Sequence, residues 1–112
     1  MNGEECYLDD FRRLVLRRAI RTINKLIGNN FNNRSEEYAL RHMVTVIGRI
    51  IETKLIKCID SKIREEMVCL ERLLEITSHY SKNDYRFMET SELVVFLRKC
   101  LPYLERRLTA YL

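Results

Sequence analysis

Residues that break regular structure are scarce in this sequence. It holds three glycines and one proline among 112 residues. These residues end helices and make turns, so few breakpoints are available. A sandwich of many short strands needs more turn chemistry than that and is excluded. No apolar run approaches the eighteen or so residues of a membrane-spanning helix. The glycines stand apart at positions 3, 28 and 48, so no glycine-rich loop is present to cradle a phosphate. There is no G-x-S-x-G elbow. No H-E-x-x-H or E-x-x-H pair lies on any helix, which argues against zinc hydrolase and di-iron chemistry. These absences predict a protein that is not an enzyme and carries no cofactor. The acidic start Met1-Asn2-Gly3-Glu4-Glu5 lacks the basic-then-apolar order of a signal peptide, which predicts an intracellular chain, cytoplasmic or nuclear and not secreted.

Cysteine pairing motifs are missing as well. Cys6, Cys58, Cys69 and Cys100 form no C-x₂-C pair, and neither His42 nor His79 sits at ligand spacing from one. A structural metal site usually shows such pairs. Cys58, Cys69 and Cys100 fall within apolar helical patterns, which predicts buried free thiols and no metal site.

What is present is helical. Apolar residues make up 46% of the chain and charged residues 32%, a balance that supports one core and one domain over residues 1–112. The periodicity predicts an all-α, three- or four-helix bundle with long amphipathic helices at about 9–27, 36–59, 61–79 and 91–111. In the first, Leu8, Phe11, Val15, Ala19, Ile23 and Leu26 form the expected core stripe, widened by Ile20 and Ile27, while Asp9 or Asp10 caps the start and Gly28 supplies a stop. In the second, which starts after Asn33 or Ser35 with Ser35-Glu36-Glu37 reading as a cap, the stripe is Leu40, Val44, Ile47, Ile51, Leu55 and Cys58 or Ile59, and Gly48 marks a close helix crossing or is merely tolerated. Beyond Asp60-Ser61 it continues as Ile63, Met67, Leu70 and Leu74. No Gly or Pro interrupts 36–79, so the middle two helices are expected to be one bent helix, or else two with Asp60 or Ser61 capping the second. The stretch Ser78–Glu89 reads as a loop. Thr90 or Ser91 is the expected cap of the last helix, which carries Leu93, Leu97, Leu101, Leu104, Leu108 and Tyr111 on one face. The same apolar phase persists on both sides of Pro102, which predicts a kink in one helix.

Two surfaces stand out. Residues 11–35 hold seven bases and no acid. Arg13, Arg17, Arg18, Arg21 and Lys25 share the face opposite the apolar stripe, and Arg34 follows in the loop. Guanidinium groups one turn apart can follow a phosphate backbone, or the face is solvated and balanced by Glu65, Glu66, Glu71 and Glu75. The carboxylate pairs Glu65–Glu66 and Glu71–Glu75 read as surface ion pairs. The second surface is apolar. Val94, Val95 and Phe96 make the last helix apolar nearly all round at its start, and Tyr103 and Tyr111 extend it. A helix apolar on all sides must be covered on all sides, which predicts a homodimer or a helical protein partner. Tyr80, Tyr85 and Phe87 are further candidate anchors. The functional expectation is a helical protein–protein interaction module that self-associates and acts as adaptor, inhibitor or assembly subunit. The alternative is a nucleic-acid-binding protein using the basic face.

Overall fold

The computed structural model describes residues 7–29, 31, 33–58 and 62–111. Four α-helices account for most of them: α1 (Asp10–Ile27), α2 (Arg34–Ile50), α3 (Arg64–Ser81) and α4 (Thr90–Leu108). No strand occurs among the described residues. Each helix packs on its chain neighbour, and α4 closes back on α1. Asn24 Nδ2 donates to Glu105 Oε1 at 2.6 Å, and Arg98 Nη2 donates to the carbonyl of Ile27 at 2.9 Å, so α4 satisfies a terminal carbonyl of α1. The short connections make an up-and-down bundle, with α3 and α4 antiparallel.

The cap of α1 falls on Asp9. Its carboxylate accepts from the Arg12 backbone N–H at 2.7 Å and pairs with the Arg12 guanidinium at 2.5 Å. That backbone hydrogen bond, helped by Arg12, holds the Asp9 carboxyl below its ordinary value. Gly28 ends the helix in right-handed geometry. Asn33 caps α2 by accepting from the Glu36 N–H at 3.0 Å.

The end of α2 widens into a π-helical turn, Ile51–Leu55. A four-residue apolar repeat overshoots the 3.6-residue α-turn, so Ile47, Ile51 and Leu55 would drift around the axis. The wider i→i+5 turn takes up that excess, and all three side chains are buried. After Leu55 the chain turns at 56–58, and Lys62 and Ile63 are not helical. The middle helices are therefore two, and the expected continuous helix over 36–79 is corrected. The described N-cap of α3 is Ile63, which makes no side-chain cap bond; the expected caps Asp60 and Ser61 lie outside the described residues.

The sequence stripes of α2 and α4 match the buried residues; that of α1 holds except that a small rotation turns Phe11 outward, and that of α3 is shifted. On α1, Leu16, Ala19, Ile20, Ile23 and Ile27 face inward and Phe11 is 71% exposed, on the opposite side from the core. On α3 the inward set is Glu66, Cys69, Leu70, Leu73, Ile76, Thr77 and Tyr80, while Ile63 and Met67 face out. Helix α3 also runs on to Ser81, two residues past its expected end. Asn83, at φ 63°, adopts the left-handed geometry common just past a helix end, and a 3₁₀ turn follows at Tyr85–Phe87. The N-cap of α4 is Glu89, not Thr90 or Ser91. Thr90 instead donates its hydroxyl to Glu37 Oε1 at 2.5 Å, joining α4 to α2. Pro102 sits inside one uninterrupted α4.

Gly48 marks the crossing of α2 and α3. A Cβ there would lie 2.7 Å from Thr77 Cβ and 2.9 Å from Thr77 Cγ2. Thr77 is buried and its hydroxyl is bonded to the Leu73 carbonyl, so it has little room to yield. Gly48→Ala should therefore destabilise by about 2 kcal/mol, because overpacking outweighs the roughly 1 kcal/mol that Ala gains as a helix former. Thermal unfolding followed by circular dichroism tests this. The loss should be smaller in a Thr77→Ala background, and strict additivity of the two changes would show that the contact is not its cause.

Candidate interaction surface

The cysteines depart from the expectation of free thiols. Cys69 on α3 and Cys100 on α4 are joined in a disulfide with a Cα–Cα distance of 5.6 Å. Cys58 is disulfide-bonded too. Cys69 and Cys100 face one another because both lie on inward positions of antiparallel neighbours, and the rotation of the α3 stripe places Cys69 there. A cysteine–histidine nucleophile pair using Cys69 or Cys100 is ruled out, since neither sulfur is a thiol. His79 instead meets Asp84 at 2.9 Å and stacks on Phe87 at 3.7 Å between ring centroids, closing the C-terminal end of α3. No group of three His, Cys, Asp or Glu side chains suited to a metal occurs among the described residues. No helix is long and apolar enough to cross a membrane, again among the described residues.

The outward face of α1 gathers most of the predicted basic residues. Arg17, Arg18, Arg21 and Lys25 are exposed. Arg18, Arg21 and Lys25 make no ion pair among the described residues. Arg13 is only half exposed, paired with Asp10 at 2.6 Å and set 5.6 Å from the Tyr7 ring. Two of the four acids expected to balance this face are engaged elsewhere, while Glu65 and Glu71 are exposed. Glu66 is buried against Arg106 and Arg107, and Glu75 pairs with Arg72. Arg34 does not join the α1 stripe. It lines a cleft with Arg41 and Arg86.

An apolar stripe that sequence reasoning missed continues the basic one. Phe11 and Leu14 are exposed, and they fall on the same side of α1 as Arg18, Arg21 and Lys25; Tyr7, just ahead of the helix, is exposed as well and lies beside Arg13. The spacing 11-14-18-21-25 is a three-four repeat, and it was available as a signal. It was hidden because Phe11 was assigned to the core.

The α4 residues expected at an interface are divided. Val95 is 68% exposed. Phe96 is half-buried in a groove of about 400 Å³ between α3 and α4, with Val68 opposite it and the Cys69–Cys100 disulfide beside it. Val94 and Tyr111, like Phe96, are partly buried and pack against the core. Tyr103 is half-buried, with the Arg106 guanidinium 5.4 Å from its ring. Tyr80, expected as an anchor, is buried and donates its hydroxyl to the Met88 carbonyl at 2.9 Å. Burial pushes its phenol above the ordinary value, against the opposing pull of Arg41. No family model matches this sequence, and no curated protein or solved structure matches it either.

Proposed function

We propose that this bundle is a non-enzymatic interaction module that self-associates through the outward face of α1. The observation that carries the reading is the exposure of Phe11 and Leu14 on the side of α1 that the core does not use, with Tyr7 exposed just ahead of the helix. Apolar side chains in one exposed row mark a contact surface more than the same residues scattered singly. The charge order along α1 favours a second copy as the occupant. Asp9 and Asp10 precede the apolar row, and Arg17, Arg18 and Arg21 follow it. A two-fold, antiparallel pairing of two α1 helices centred between Phe11 and Leu14 overlaps the apolar rows. It also sets the acidic start of each helix beside the bases of the other, while the two basic ends diverge. Such an interface is self-complementary, as a two-fold contact requires. The disulfides support residence in an oxidising compartment instead of the reducing interior expected from the sequence.

Sedimentation analysis at micromolar concentration tests the proposal. The protein should dimerise, and Phe11→Glu with Leu14→Glu should raise the dimer dissociation constant at least about tenfold. The folded monomer should persist, since both side chains are exposed. A strictly monomeric wild type, or a dimer indifferent to these changes, would remove the reading. The nucleic-acid reading keeps one specific support, the free cationic groups of Arg18, Arg21 and Lys25. It expects salt-sensitive binding that charge reversal at those three positions abolishes. Unchanged binding after reversal would count against it.

A further inference from the structure

A separate cleft of about 520 Å³ lies between the start of α2 and the 3₁₀ turn, and three arginines line it: Arg34, Arg41 and Arg86. No ion pair engages any of the three among the described residues. Three arginines lining one cleft outnumber its two carboxylates, and guanidinium groups left without an ion pair suit an anion. Glu37 and Glu89 also line the cleft and offset part of the charge. Glu37, however, already accepts the Thr90 hydroxyl.

Arg41 is the most constrained of the three. Its guanidinium carbon lies 5.8 Å from the ring centroids of both Tyr80 and Tyr85. Its Nε–H is buried and has no hydrogen-bond acceptor. A buried donor left unpaired costs free energy, and a small movement of the Arg41 side chain toward an oxyanion in the cleft would give it an acceptor. The aromatic wall adds a second preference. Tyr38 stands edge-on to Tyr85 at 5.5 Å and is itself more than half exposed, so its ring is open to a flat organic group.

We propose that this cleft binds an oxyanion monoester, a phosphate or sulfate carried on an aromatic group. Arg34, Arg41 and Arg86 hold the oxyanion and Tyr38 packs the ring. The site is independent of the outward face of α1. Phenyl phosphate and phenyl sulfate, titrated separately into the full chain at low salt, are the probes, read by calorimetry and by the arginine Nε–H resonances. One of them should bind saturably and shift the Arg41 resonance, and the ester that does so names the oxyanion. Arg34→Gln with Arg86→Gln should weaken that binding by about tenfold or more and leave the melting temperature unchanged, because both side chains are exposed. Tyr38→Ala should reduce the preference for the phenyl ester over the inorganic ion. Arg18→Gln with Arg21→Gln should change neither. Failure of both esters to saturate, or an affinity that follows Arg18 and Arg21 instead of Arg34 and Arg86, overturns the proposal.

Discussion

Replacing Cys69 and Cys100 together by alanine should cost about 3.5 kcal/mol. The two residues are 31 apart in sequence. Opening a loop of that length returns to the unfolded chain the closure entropy that the cross-link had removed. For a chain of this size the melting temperature should fall by ~15 °C. Both residues are nearly fully buried, so the lost sulfur packing adds to the effect. Chemical denaturation of the double variant against wild type measures it. A reducing agent should cost the wild type more than the double substitution does, because Cys58 is in a disulfide as well. Alkylation of the unfolded, unreduced protein should leave Cys58, Cys69 and Cys100 unlabelled. An unchanged denaturation midpoint in the double variant, or labelling of Cys69 and Cys100, would contradict the cross-link as a source of stability.

That disulfide also explains what sequence reasoning could reach. The all-α class, the stripes of α2 and α4, and the cap at Asp9 were legible, because apolar spacing and capping chemistry act locally. The break between α2 and α3 was not, since no Gly or Pro announces it. The α3 stripe was misread for a related reason. Periodicity counts apolar residues, and α3 buries a carboxylate, a threonine and a cystine half on its inward face. With those three discounted, the exposed Ile63 and Met67 looked like core. Phe11 misled in the same way, an aromatic at helical spacing that turns outward. The candidate surface was therefore legible only in its charged half. The bases of α1 were found from the sequence, while the apolar row that extends them emerged only once the rotation of α1 was known. Arg34 was grouped with α1 because it is near in sequence, and its place beside Arg41 and Arg86 depends on contacts between distant segments.

The buried carboxylate of Glu66 leads to the second large effect. Only 2% of its side chain is exposed. It accepts from Arg106 Nη2 at 2.7 Å, from Arg107 Nη2 at 2.6 Å and from Arg107 Nε at 3.1 Å. These bonds tie the first turns of α3 to the last turn of α4. The burial is unequal: the Arg106 and Arg107 side chains are 61% and 34% exposed. The cost of breaking the cluster should follow that inequality. Arg106→Met with Arg107→Met keeps much of the aliphatic bulk but leaves a carboxylate buried without its partners, which should destabilise by about 3–5 kcal/mol. Glu66→Met removes the buried charge and leaves two arginines able to hydrate, which should cost no more than ~1 kcal/mol and could even stabilise. An orphaned buried carboxylate is relieved by taking up a proton, so the loss in the arginine variant should shrink in acid. The loss in the Glu66 variant should show no such trend. Urea denaturation of both variants at neutral and acidic pH separates them. Equal losses in the two variants would mean that the cluster acts through packing alone and that the charge at Glu66 is not what the arginines offset.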